Sequence, residues 1–308
     1  MTFRRLFVSF VSLAAGAVSL AAGAVSLAAG AVSLAAGAVL LAAGAQAQWL
    51  DFHTPGTPRT ADGKPNLSAA APRSPDGKPD LSGVWMHETT TVAEVRRLFG
   101  NRFDSEITLA PPGMEIGTQH KYGFDILLDY KPEEAMLRPQ AAEIFRRRDR
   151  NPANVCAGVF GFPLAGLLSE PIKIVQATRL TLILYEVQNL RRQIYTDGRV
   201  LPKEVNLPAY MGYSAGHWED DSLVVETAGF NDKTALDAAG HPHSEGLHVT
   251  ERFRRRDFGH MDVEMTFNDP QMYTKPFTVN IPHNLLADAD IFEDFCDNEK
   301  DRSHLGKQ

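Results

Sequence analysis

Glu251 is the side chain that most demands an explanation. In Val249-Thr250-Glu251-Arg252-Phe253 the period of a strand puts Val249, Glu251 and Phe253 on one face, the face that should point inward. A lone ionised carboxylate is costly there, so it must be protonated, hydrogen-bonded or bound to an arginine. In the structural outcome, Glu251 forms a buried ion pair with Arg192 or Arg199. In the functional outcome it is a general acid or base inside a ligand cavity, aided by Tyr195 or His217. Such a site suits isomerisation, hydration, elimination or hydrolysis without a cofactor. Glu186, following Leu180, Leu182 and Leu184 on a second strand face, would line the same cavity with Tyr185, Arg192 and Trp218. The expected ligand is a small, partly apolar molecule. An enclosed pocket of roughly several hundred Å³ around Glu251 separates this outcome from a solid core.

Other residues carry weaker signals. His241, His243 and His248, with Asp237 and Glu251 nearby, could supply three imidazoles and an open position for zinc. The stretch from Asp237 to His241 has the composition of a loop, so no metal and no other cofactor is expected. Gly212-Tyr213-Ser214-Ala215-Gly216 matches G-x-S-x-G, but a nucleophile elbow needs a strand before the serine and a helix after it. Here Pro208 precedes it and a strand pattern follows, so a loop serine between turn glycines is expected. Cys156 and Cys296 are the two cysteines, and in an oxidising compartment they most simply pair. That bond would close a loop of about 140 residues and contribute about 4–5 kcal/mol on a loop-entropy basis. Dinucleotide, Walker, HExxH, CxxC and c-type haem motifs do not occur in the chain.

The elements that must hold these residues begin after an export signal. Arg4 and Arg5 precede an uncharged apolar stretch, Leu6 to Ala45, and Ala45-Gln46-Ala47 is a cleavage pattern. Val11 to Ala45 is five copies of one heptad, Val-Ser-Leu-Ala-Ala-Gly-Ala, the last of them varied. Residues 1–47 are therefore expected to be a signal peptide, and the protein to be periplasmic or secreted with no stable membrane insertion after cleavage. Losing Arg4 and Arg5 moves the formal charge from -7 to -9, which disfavours nucleic acid as a partner.

Residues 48–82 have the Pro/Gly composition of a linker and repeat one phrase, Asp62-Gly63-Lys64-Pro65 and Asp76-Gly77-Lys78-Pro79. A single β-rich domain is expected over 83–308, with helical decoration at 90–150, a β core at 171–282 and a tail at 283–308. Thr91 with Glu94 has capping-box spacing, and a second helix is expected from Gln140 to Arg150. Asp197-Gly198 signals a hairpin, and Asp220-Asp221-Ser222 signals another. Residues 249–253, 261–267 and 277–281 alternate as consecutive strands with one apolar side. The fold class expected is mainly β: an antiparallel meander that buries that side by closing as a barrel or sandwich.

Pro79-Asp80-Leu81-Ser82-Gly83-Val84-Trp85, Tyr195-Thr196-Asp197-Gly198-Arg199 and the run Gly212 to Thr227 stand out together with Glu251-Arg252-Phe253 and Asp269-Pro270. In this combination the chain resembles a large family of exported bacterial proteins common in proteobacteria and acidobacteria. The resemblance covers nearly all of residues 79–300. It implies one intact domain and an exported location, and it brings no reaction with it. The opening Asp80 to Trp85 is also similar to the entry strand of lipocalin-like barrels.

Overall fold

The computed structural model describes residues 53–99, 120–131, 134–148, 160–168 and 170–293. The expected signal peptide, Cys156 and Cys296 lie outside the described residues. Among those described, no helix is long and apolar enough to cross a membrane.

Nine strands close into one barrel: β1 (Gly83–His87), β2 (Ile172–Ala177), β3 (Leu180–Tyr185), β4 (Arg191–Tyr195), β5 (Tyr213–Glu219), β6 (Ser222–Ala228), β7 (His248–Arg255), β8 (His260–Asn268) and β9 (Phe277–Leu285). Each strand pairs with its neighbours in sequence, and β1 pairs with β9, so no edge is left exposed. The alternation that marks these segments as strands is also what fills the barrel. Val249, Phe253, Val263, Met265, Phe267, Val279 and Ile281 are all buried, and the residues between them on each strand are more exposed.

Closure imposes a condition that local sequence does not carry. Going round a ring, each antiparallel contact reverses strand direction, and the reversals must be even in number. Nine strands therefore require a parallel contact, and the β4–β5 pair supplies it, with Ile194 against Ser214 and Tyr195 against Ala215. Hence Asp197-Gly198 does not make the expected hairpin. It bends the chain, with Gly198 at φ +87°, and residues 196–212 then loop back so that β5 starts alongside β4 in the same direction. The Asp220 turn does join β5 to β6 as a hairpin.

The strand registers define two ends. At one lie Gly83, Leu285 and the β5–β6 and β7–β8 turns. This end is closed by residues 53–82, expected as a linker. The two repeats fold into like turns, in which Thr60 N–H donates to Lys64 O and Ser74 N–H to Lys78 O, each at 2.9 Å. Arg59 Nη2 then donates to both Asp288 oxygens, and Arg73 forks onto Asp221. Leu67 lies on Gly259, where an added Cβ would stand 2.4 Å from the Leu67 Cβ. Leu81 enters the core, and the Trp85 indole donates to its carbonyl at 2.9 Å. We call this segment the strap.

The opposite end holds His87, Tyr185, Arg191 and the long 229–247 connection. Residues 160–168 lie across it, with Phe162, Leu164, Ala165 and Leu167 buried. Among the described residues, three helices decorate it: α1 (Val92–Phe99), α2 (Lys121–Phe124) and α3 (Pro139–Arg147). The Thr91 hydroxyl caps α1 by accepting from Glu94 N–H at 3.3 Å, as its spacing indicates. Helix α3 begins one residue before the expected Gln140, with Pro139 in its first turn.

Candidate functional site

The largest polar cluster of the barrel interior lies towards the end opposite the strap. Arg192, inward on β4, meets Glu251, inward on β7, and their side chains are 2 % and 3 % exposed. The pairing is a fork: Nη1 donates to Glu251 Oε1 at 3.0 Å, and Nη2 donates to Oε2. Nη2 also donates to Thr227 Oγ1 at 2.6 Å, and Nε donates to Ser214 Oγ at 2.9 Å. The guanidinium carbon lies 3.8 Å from the centroid of the Phe162 ring. Burial opposes the Arg192 charge, but the adjacent Glu251 carboxylate and Tyr185 more than offset it, so its pKa stands above the usual arginine value. Burial pushes the Tyr185 phenol up to about 12, against the pull of Arg192.

Beside this cluster is a cavity of about 20 Å³, bordered by Glu251, Tyr185 and His283 and otherwise by apolar groups such as Phe162, Phe253 and Met265. That volume holds about one water. It is far below the several hundred Å³ that an organic ligand occupies.

Three histidines lie near the same end. His87 and His283 face each other across the β1–β9 pair, and His120 immediately precedes α2. The His87 ring centroid is 5.9 Å from that of His120 and 6.3 Å from that of His283, both edge-on. His87 Nε2 stands 2.8 Å from Leu168 O, and His283 Nδ1 stands 2.9 Å from Ile281 O. A carbonyl only accepts, so these nitrogens carry the protons. The other nitrogen of each ring is then an acceptor, and that of His87, Nδ1, is buried with no partner. Burial lowers the pKa of all three rings, to about 3 for His120 and His283. No local motif announces this cluster, because its members are far apart in sequence and only barrel closure brings them together.

The residues expected from sequence are distributed unevenly. Glu251, Arg192 and Tyr185 come together inside the barrel, and Trp218 points inward on β5. Tyr195 and His217 do not join them. Tyr195 lies on the outer face of β4 with its hydroxyl on Gln193 and Arg199 over its ring, and His217 is exposed and bonded to Glu219. Arg199 pairs with Asp197 rather than with Glu251. On β3 the buried face is Thr181, Ile183 and Tyr185, so Glu186 follows the outer face and accepts from Phe292 N–H. Ser214 sits on β5 itself, bonded to Arg192 and Thr227, and is no nucleophile elbow.

The loop histidines separate too. His243 is held by Thr234 Oγ1 at 2.8 Å and Ser244 O at 3.2 Å, and His248 lies on the outward side of β7. His241 Nδ1 is 2.6 Å from Asp237 Oδ2 and 3.8 Å from Asp125 Oδ1. Among the described residues, Asp125, Asp237 and His241 are the group whose possible ligand atoms already lie within 4.8 Å of one another. Those atoms are largely committed. Asp237 accepts from Ile126 N–H at 2.6 Å and His241 N–H at 3.0 Å as well as from the imidazole, tying the 229–247 connection to α2.

Comparison of the chain with family models, with curated proteins and with solved structures finds no match.

Proposed function

We propose that the chain is an exported β-barrel binding module that performs no chemistry at its interior carboxylate. The observation that carries this is the Arg192 fork. Both Glu251 oxygens are engaged by one guanidinium, and two hydroxyls accept two more of its N–H groups. A general base needs a free lone pair within reach of a substrate proton, and the cavity beside Glu251 admits only a water-sized occupant. The export signal and the resemblance to exported proteins support the periplasm or beyond as the place of action.

A native mass spectrum of protein purified from the periplasm, for the natural chain and for Glu251→Gln, tests the reading. The expected spectra show cleavage after Ala47, and whatever mass is bound is common to both proteins. An organic ligand carried by the natural chain and lost in a folded Glu251→Gln protein would overturn it, and so would accumulation of the chain in the cytoplasm.

A further inference from the structure

We infer that His87, His120 and His283 form a binding site for one transition-metal ion of borderline softness, zinc or cobalt being apt probes. The inference rests on the binding-module reading and names what the interior takes up. Three buried imidazoles from β1, the approach to α2 and β9 come together at this end, and the free space that His283 borders suits an ion or a water rather than an organic molecule. Nitrogen donors of this kind favour zinc, cobalt, nickel or copper over calcium or magnesium.

The protons are already arranged for ligation. Ligating histidines characteristically donate their second ring N–H to a carbonyl or carboxylate, which fixes the tautomer. His87 does so to Leu168 O and His283 to Ile281 O. The His87 Nδ1 lone pair is thereby left buried without a partner, and His283 borders the cavity. His120 is the adjustable member. Its Nδ1 accepts from Tyr122 N–H at 3.4 Å, a long bond that is released at little cost.

With zinc–nitrogen bonds of about 2.0–2.1 Å, rings sharing one ion have centroids about 5 Å apart. At 5.9 and 6.3 Å, the His87 ring must therefore close in on each of the other two by about 1 Å. The Asp125–Asp237–His241 group is already compact, but an ion there must displace the imidazole proton from Asp237. A site with one unpartnered lone pair and one held by a long bond, needing a small movement, is better than close atoms that are spent on one another.

Cobalt(II) is the probe. Chelator-treated, dialysed protein is titrated with it and followed by visible absorption, with circular dichroism to confirm folding. One equivalent is expected, giving the intense bands of a low-coordinate nitrogen site. His87→Asn and His283→Asn should each weaken uptake at least 100-fold, and His241→Asn should leave it unchanged. His120→Asn is the safeguard, since that ring lies outside the strands, and it should weaken uptake at least 10-fold in a folded protein. Absence of cobalt uptake by the folded natural chain overturns the site. So does uptake that survives in the triad variants and is lost in His241→Asn, which places the ion at Asp125 and Asp237. The binding-module reading fails separately, through a Glu251-dependent organic mass, whatever the cobalt result.

Discussion

Replacing Glu251 by Gln keeps the shape of the side chain and removes its charge, which leaves the Arg192 guanidinium buried without a counter-ion. Breaking one partner of a buried pair costs about 3–5 kcal/mol, chiefly through the charge left behind. At 2 % exposure bulk solvent cannot replace the Glu251 charge, and Thr227, Ser214 and a single water in the neighbouring cavity offer only neutral oxygens. Taking a urea m-value of roughly 3 kcal/mol/M for a chain of this size, the midpoint should fall by about 1 M or more. Arg192→Met alone should be similarly damaging, because it leaves the carboxylate buried. The double variant Arg192→Met/Glu251→Leu behaves differently. It removes both charges, and Ser214 and Thr227 keep each other at 3.0 Å, so it should lie within about 2 kcal/mol of the natural chain or above it. The cycle therefore yields a large favourable coupling between the two residues. Urea unfolding of the four proteins, followed by tryptophan fluorescence, reads it. If Glu251→Gln stays within about 0.5 kcal/mol of the natural chain, the pair does not hold the barrel as argued. A double variant as weak as the sum of the singles would refute the reasoning equally.

Acid should weaken the fold well above the pH at which carboxylates titrate. His120 and His283 titrate near 3 when folded and near 6.5 when unfolded, so the unfolded chain binds more protons between those values. Their contribution is intact above pH 6.5 and is lost as pH falls towards 3, about 2 kcal/mol per ring by pH 5. Denaturation of chelator-treated protein at pH 8 and pH 5 measures it, and His283→Asn should remove about 2 kcal/mol of the difference; a flat profile would show that the rings are not buried and neutral. At the strap, Arg73→Ala should leave the unfolding midpoint nearly unmoved, because its pair with Asp221 is exposed. Leu81→Ala should cost about 2–5 kcal/mol, since that side chain is 1 % exposed. Gly259→Ala places a methyl against Leu67 and should open the strap to protease between residues 53 and 80, without unfolding the barrel.

What the sequence conveys about this barrel depends on whether the controlling forces are local. Strands β7 to β9 are legible because one face is apolar and the other polar, so the period of two has a single solution. Strand β3 is not, because Leu180, Leu182 and Leu184 compete with Thr181, Ile183 and Tyr185 for the interior. Pairing with β2 and β4 settles the contest against the leucines, which is why Glu186 ends on the outside. Arg192 could be named as a partner for Glu251, since a buried carboxylate needs a cation and strand parity limits the choice. Tyr195 and His217 failed that same parity test once β4 and β5 were in register.

The features that escaped the sequence depend on closure. The parallel β4–β5 contact answers to the count of strands round the ring, which the turn-forming Asp197-Gly198 cannot register. The strap has a linker's composition because its turns need Pro and Gly, yet its latches reach Asp221 and Asp288, 148 and 229 residues away. Its placement explains the polarity of the whole molecule. With one barrel end sealed by Leu81, Trp85 and the two latched turns, unpaired interior chemistry can persist only towards the other. There the His87 lone pair is buried for want of a partner. Because a neutral buried nitrogen left unsatisfied costs about 1–3 kcal/mol, an ion that binds this lone pair also stabilises the fold. Bound cobalt should accordingly raise the unfolding midpoint of the natural chain and leave that of His87→Asn unmoved. An equal rise in both proteins would show that the metal acts elsewhere.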